Sequence, residues 1–263
     1  MPLEYEAIRK SFNAVADQYE ENAVLQKEVL SRLIERLADE KTLNPDLQPL
    51  NLLDLGSGPG LAAPHLFELF PQLHITALDF SQNMLNQISP HSMIKSILAD
   101  VHDVPLADES MDIVFANMLL HWSNEKDVFK EAYRLLKPGG LIVMSALGET
   151  SLFELKQAWS DFDNSERVHE FPALHNLGDD MLKTGFEQVV VNAEIITLTY
   201  TDVIALMQDI KASGGHNSLE HRRKGLLSRH QLEKLKQAYE PFRVDDRLPA
   251  SYEIVYLRAL KPK

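Results

Sequence analysis

Two hydrophobic periods alternate along this chain. Leu3, Ala7, Ile8, Phe12 and Val15 lie on one helical stripe, and a second helix is predicted from Asn22 to Ala38 with Leu25, Val29, Leu33 and Leu37 on one face. Leu50, Leu52, Leu53 and Leu55 then form an apolar run that is long enough for a buried strand and too short for a helix. Glycines at 56, 58 and 60 break it, and a helical pattern with Leu66, Leu69 and Phe70 follows, tolerating Pro64 in its first turn. Further strands are predicted at His74–Leu78, Met93–Leu98, Met111–Ala116 and Leu141–Leu147. Asn124–Leu136 reads as a helix capped by Asn124, with Val128, Ala132, Leu135 and Leu136 buried, and Lys137-Pro138-Gly139-Gly140 punctuates its end. Beyond the fifth strand come helices at Ser151–Trp159 and Gly178–Lys183, and a sixth strand at Phe186–Leu198. Helices at Asp202–Lys211 and Ser228–Tyr239 and a seventh strand at Tyr252–Leu260 complete the pattern. Strands alternating with helices predict an α/β domain with a mostly parallel sheet.

With 263 residues the chain fits one sizeable domain. No apolar run reaches the length of a membrane span, and the N-terminus lacks the apolar core of a signal peptide, so a cytoplasmic protein is expected. The absence of cysteine excludes disulfides, thiolate nucleophiles and cysteine-ligated metals. A net charge of −13 speaks against non-specific nucleic-acid binding.

Candidate chemistry gathers where strands end. Strand, glycine turn and helix open a nucleotide-binding α/β unit, in which glycines admit a ligand close to the backbone. The spacing here is G-x-G-x-G, with Asp54 two residues before Gly56. A carboxylate there would repel a pyrophosphate but suits an ammonium group or a hydroxyl. Asp79 ends the second strand at the position that hydrogen-bonds ribose hydroxyls; it could instead cap the next helix, a role for which Ser81 competes. Ala99-Asp100-Val101 is a candidate clamp on an adenine ring and its amino group. Past Asn117, the loop carrying His121 and Trp122 leaves the carboxyl end of the fourth strand, where ligands lie in such sheets. His121 reads as a base, a carboxylate contact or a wall residue, and Trp122 as core or substrate platform.

The series D-L-G-S-G-P-G, L-D-F-S, L-A-D, D-I-V-F-A-N and L-L-K-P-G-G resembles the class I S-adenosylmethionine-dependent methyltransferases over about a hundred residues. The resemblance implies a doubly wound, Rossmann-like, seven-stranded sheet whose sixth and seventh strands are antiparallel. It also implies S-adenosylmethionine as cofactor, with Asp54, Gly56, Ser57, Gly58, Gly60, Asp79, Phe80, Met84, Asp100, Val101 and Asn117 as candidate contacts.

The segment S-F-N-A-V-A-D-Q-Y-E-E-N-A-V-L-Q is similar to the N-terminal lid of malonyl-acyl-carrier-protein O-methyltransferases of biotin synthesis, which adds Tyr19 and Gln26 to those candidates. G-E-T-S-L-F-E-L-K-Q-A-W, L-M-Q-D-I-K-A-S-G-G, R-R-K-G-L-L-S-R and L-P-A-S-Y-E-I-V-Y carry the likeness over nearly the whole chain. Ser213-Gly214-Gly215-His216 and M-L-L-H-W depart from that pattern where the acceptor should sit. The expected organisation is a lid at 1–40, a cofactor core at 46–147 and acceptor-side insertions at 148–177 and 200–250. The implied reaction methylates the free carboxylate of malonyl-acyl-carrier protein or malonyl-CoA, without metal, nucleic acid or membrane. Tyr19 and His121 are its positioning candidates, and His121, Trp122, Arg222 and Arg223 its acceptor contacts. Lys234 and Lys236 would attract an acidic carrier protein. Another small-molecule methyltransferase, acting on a free acid or a quinol, and a methyltransferase-fold hydroxylase or assembly factor remain the alternatives.

Overall fold

A computed structural model describes residues 4–44, 47–162, 170–215 and 228–263. The chain opens with α1 (Tyr5–Val15), the single turn α2 (Tyr19–Asn22) and α3 (Val24–Leu43). Then come β1 (Asn51–Leu55), α4 (Ala63–Leu69), β2 (His74–Asp79), α5 (Gln82–Leu85), β3 (Ile94–Leu98) and β4 (Met111–Ala116). The second half holds α6 (Glu125–Leu135), β5 (Leu136–Leu147), α7 (Phe153–Ser160), α8 (Leu174–Thr184), β6 (Glu187–Tyr200), α9 (Val203–Ala212), α10 (Arg229–Tyr239) and β7 (Leu248–Leu260). No helix among the described residues is long and apolar enough to cross a membrane.

The seven strands form one sheet in the order β3-β2-β1-β4-β5-β7-β6. The first five are parallel, and β7 runs antiparallel between β5 and β6, as the resemblance implied. The order reverses beside β1, so β1 and β4 diverge into loops at a switch point, the usual place for a ligand in a doubly wound sheet.

Strand alternation sends side chains into two cores. Leu52, Ile113, Phe115, Leu141 and Val143 meet α3 (Leu25, Val29, Leu33, Leu37), Leu66, Trp159 and Leu206 on one face. Leu53, Leu55, Val114, Ala116, Ile142 and Met144 meet α6 (Val128, Phe129, Ala132, Leu135) and α8 (Leu177, Met181) on the other. Side chains also start the helices as anticipated. Asn124 Oδ1 accepts from Lys126 N, Asp202 Oδ1 from Ile204 N and Ala205 N, and Ser228 and Gln231 form a reciprocal cap on α10.

Several boundaries differ from the sequence expectation. The second helix begins at Val24, after a separate turn at Tyr19–Asn22, because Ala23 leaves the helical conformation with ψ of 50°. Lys137–Gly140 belongs to β5 instead of forming a turn between α6 and the strand. Leu136 already pairs with Met111, and Gly139 N and Lys261 N extend the ladder toward β7. Helix α8 starts at Leu174, inside the anticipated insertion, and β7 starts four residues earlier than Tyr252, at Leu248, paired with Tyr200.

A lidded cavity at the switch point

A cavity of about 200 Å³ opens at the carboxyl ends of the parallel strands. At one end it is lined by Gly56, Gly58, Asp79, Phe80, Met84, Asp100 and Val101, contributed by the loops after β1, β2 and β3. At the other end stand Leu147, Leu152, Leu155, Phe171, Asp209, Ile210 and Tyr252, from β5, α7, α9 and β7 and the connections between them. Tyr5, Phe12, Tyr19, Asn22, Leu25 and Gln26 close it from the N-terminal helices.

The floor is built around Asp79. Its Oδ2 accepts from Gly58 N at 2.9 Å and its Oδ1 from Ser81 N at 2.8 Å, so one carboxylate ties the glycine turn to the start of α5. Ser81 itself caps α5, accepting from Met84 N, which releases Asp79 from that task. Gly56, Gly58 and Gly60 all have left-handed φ angles, and a Cβ at Gly58 would meet nothing within 4 Å, leaving a cradle in front of the turn. Burial raises the Asp79 carboxyl to about 6 despite backbone donors from Ser81, Gly58 and Phe80. Burial, then the charge of Asp79, raises Asp54 to about 7. Two buried carboxyl groups beside an open cradle suit a ligand that brings N–H and O–H donors.

Asp54 therefore holds its proton to higher pH in the folded state than in the unfolded chain. As pH rises from about 4 to 7 the unfolded state releases that proton first, so this residue's contribution to stability falls across that window. Asp54→Asn is expected to stabilise the ligand-free protein by something on the order of 2–4 kcal/mol above pH 7. The gain should fade toward pH 4, and thermal melts at several pH values would measure it. A gain independent of pH would contradict the assignment.

The lid is clasped at both ends of the cavity. Asn13 Oδ1 accepts from Ser81 Oγ at 2.8 Å and Asn83 N at 3.2 Å, and Gln87 Nε2 donates to Asp17 at 2.8 Å. Across the mouth Ser11 Oγ donates to the Gly214 carbonyl at 3.0 Å. Phe12 is the hub of an aromatic roof, edge-on to Trp122 at 5.5 Å and near Phe80 and Tyr19 at 6.2 and 6.3 Å. Burial, and then the nearby Asp79, push the Tyr19 phenol well above its ordinary range, so it stays a hydrogen-bond donor. A Cβ on Gly214 (φ +82°) would lie 2.6 Å from Phe12 Cε1. Gly214→Ala is thus expected to cost roughly 1–2 kcal/mol and to lower Tm by about 2–8 °C. An unchanged melt would show that the roof yields freely.

The loop after β4 is braced from behind. Met118 takes a left-handed φ of 58°, and its N–H donates to Ser145 Oγ at 2.9 Å. Ser145 Oγ donates to Asn117 Oδ1 at 2.8 Å, and Asn117 Nδ2 donates to the Gln26 carbonyl at 3.0 Å. Asn117 thereby bridges β5 and α3. His121 and Trp122 both line the cavity, His121 lying 6.1 Å edge-on from Phe171.

The structure thus gathers Tyr19, Gln26, Gly56, Gly58, Asp79, Phe80, Met84, Asp100, Val101, Asn117, His121 and Trp122 around one space. Asp54, Ser57 and Gly60 are not part of its lining: Asp54 is buried within β1, and Gly60 faces Ile88. Arg222 and Arg223 lie outside the described residues. Sequence reasoning missed Phe171, Asp209, Ile210 and Tyr252 as wall residues, and also His102, whose Nδ1 meets Asp100 Oδ1 at 2.6 Å. The tyrosine was visible inside L-P-A-S-Y-E-I-V-Y, but there it read as a strand position.

A family model described as "Methyltransferase domain" matches residues 53–144. The malonyl-[acyl-carrier protein] O-methyltransferase of Gallionella capsiferriformans is 37% identical over 99% of this chain and 92% of its own length. The chain belongs to that O-methyltransferase family. Its core motifs are those the family model covers, and the lid and insertions fall within the near full-length match. A "Biotin biosynthesis bifunctional protein BioHC" of Teredinibacter turnerae is 34% identical over 97% of this chain and 46% of its own length. Among solved structures, phosphoethanolamine N-methyltransferase 2 of Haemonchus contortus, in complex with S-adenosyl-L-methionine, superposes with a TM-score of 0.52. At 19% identity, over 87% of this chain and 52% of that one, it supports the class I methyltransferase fold.

Proposed function

We propose that this enzyme transfers a methyl group from S-adenosylmethionine to the free carboxylate of a malonyl group carried on acyl-carrier protein. The single observation that carries the reading is the two-ended cavity under a clasped lid: carboxyl groups and a glycine cradle at one end, and apolar walls interrupted by Asp209 and Tyr252 at the other. The names of the near full-length relatives give the acceptor, and the bifunctional relative places the reaction in biotin synthesis.

The cavity fits the donor. Asp79 would accept from ribose hydroxyls, and Asp100 and Val101 would border the adenine, with Phe80 and Met84 on its faces. Gly56 and Gly58 would admit the amino-acid end, with Asp54 behind them drawing its ammonium group. When bound, S-adenosylmethionine supplies an electrophilic methyl carbon. The acceptor carboxylate, with an ordinary pKa of about 4, is ionised at neutral pH and asks for no general base. The residues then have three tasks: to orient the acceptor, to exclude water and to hold the lid shut. Tyr19, Phe12 and Trp122 roof the space, while His121 and Asn117, which also line it, would border the transfer point. Such positioning supplies effective molarities of ~10⁵ M or more.

The reading extends to a cytoplasmic enzyme that binds no nucleic acid, which the net charge of −13 supports. Initial rates of S-adenosylhomocysteine release with malonyl-carrier protein, malonyl-CoA, free malonate, trans-aconitate and a quinol test it. Malonyl-carrier protein is expected to lead. A higher rate with the quinol or trans-aconitate would overturn the reading.

A further inference from the structure

The far end of the cavity carries polar groups that the methyl donor does not use. Tyr200, near the end of β6, donates its hydroxyl to Asp209 Oδ2 at 2.6 Å, and Asp209 itself lines the cavity. Tyr252, 5% exposed, lines it too, from the same face of the β6–β7 ladder. Behind this group Glu154 is buried, accepting from Ser251 Oγ at 2.6 Å and Ser251 N at 3.1 Å. Burial above all, with Asp209 and Glu154 adding to it and the Tyr200 hydrogen bond opposing it, holds the Tyr252 phenol above its usual range. Burial, then Tyr252 and Asp209, do the same for Tyr200. Both tyrosines stay protonated, and Asp209 is the acceptor toward which Tyr200 is aimed. No ion pair engages Asp209 among the described residues.

The sign of this field decides what can lie here. A carboxylate pushed toward Asp209 would meet a negative charge backed by a second one, so the reacting carboxylate belongs nearer Asn117 and His121. What remains of the acceptor is neutral: a thioester, then methylenes and a secondary amide N–H. Leu152, Leu155, Phe171 and Ile210 offer the methylenes apolar walls. Asp209 accepts one hydrogen bond from Tyr200 and has lone pairs left for an N–H.

Building on the carrier-protein reading above, we propose that Asp209, oriented by Tyr200, determines acceptor specificity. It accepts a hydrogen bond from the first amide N–H of the pantetheine-type arm, and its charge turns away free dicarboxylates. Tyr200 is the positioning residue of the pair.

Three acceptors separate these roles: the malonyl thioester of N-acetylcysteamine, which keeps the amide, the malonyl thioester of ethanethiol, which lacks it, and free malonate. For wild-type protein kcat/KM should favour the amide-bearing thioester by about ten- to a hundredfold, the value of a charge-assisted hydrogen bond. Asp209→Ala should bring that ratio close to one. Asp209→Asn keeps a neutral acceptor, so it should hold an intermediate ratio while raising kcat/KM for free malonate about tenfold. S-adenosylmethionine affinity, read by calorimetry, should stay within about twofold in both variants. A wild-type ratio in Asp209→Ala, or an equal fall on both thioesters, would overturn the proposal. So would a malonate rate in Asp209→Asn no higher than in wild type. Failure of wild-type protein to methylate malonyl-carrier protein, run alongside, would overturn the underlying reading and this proposal with it; the other outcomes strike this one alone.

Discussion

Asp79→Ala protein is expected to fold and to bind S-adenosylmethionine about ten- to a hundredfold more weakly than wild type. The carboxylate is 6% exposed and accepts from both Gly58 N and Ser81 N, so it shapes the glycine turn as well as lining the cavity. Alanine removes the acceptor proposed for the ribose and leaves two backbone N–H groups without their partner, a loss that falls on the cavity more than on either core. Asp79→Asn keeps one acceptor oxygen and should recover part of the affinity. The pH dependence has a definite sign. Burial raises this carboxyl to about 6, so wild-type affinity should weaken as pH falls through that value and the acceptor becomes protonated. Calorimetric titrations at pH 5 and 8, beside thermal melts, check both parts. Wild-type affinity in a folded Asp79→Ala protein would remove Asp79 from the site.

Deleting residues 1–23 should leave a cooperatively folding core and reduce methyl transfer by at least about a hundredfold. Both cores are built from α3 onward, and the deleted segment contributes none of their residues. What goes is the roof: Tyr5, Phe12, Tyr19 and Asn22 line the cavity, and Asn13 and Ser11 clasp it to α5 and to the chain after α9. Opening that side admits water and frees the acceptor to reorient, which withdraws the positional advantage on which a baseless transfer depends. The loss should be less severe for Phe12→Ala, which takes away the hub of the aromatic roof but leaves its clasps. Product formation measured beside a thermal melt separates lost closure from lost folding. Full turnover by the truncated protein would show the segment to be packing alone.

The donor end of the cavity was legible in the sequence because its parts are local. Each lies within a few residues of a strand's carboxyl end, and a strand, a glycine turn and an acidic residue at fixed spacing carry their own geometry. Even there the pattern hid a division of labour: Asp79 binds backbone on both sides while Ser81 caps α5. Asp54, read from the same pattern, is buried within β1 behind the glycine turn and does not line the cavity itself. The acceptor end was far less legible. Phe171, Asp209 and Tyr252 come from three segments far apart in sequence, and periodicity within one segment cannot say which of its buried positions border a shared space. The arginine clamp anticipated at Arg222 or Arg223 falls on residues outside those described. The extended β7 and the glycines drawn into β5 escaped local reading for a related reason. Turn chemistry at Lys137–Gly140 yields to ladder bonds with Lys261 that only the antiparallel β7 supplies.

Intact-mass spectrometry of carrier protein tests the central claim most directly. Malonyl-loaded acyl-carrier protein, incubated with this enzyme and S-adenosylmethionine, should gain the mass of one methyl group. The gain should be absent from carrier protein loaded with an acetyl group, which offers no free carboxylate. A malonyl-carrier protein whose mass stays unchanged, with enzyme shown by calorimetry to have bound the methyl donor, would contradict the account.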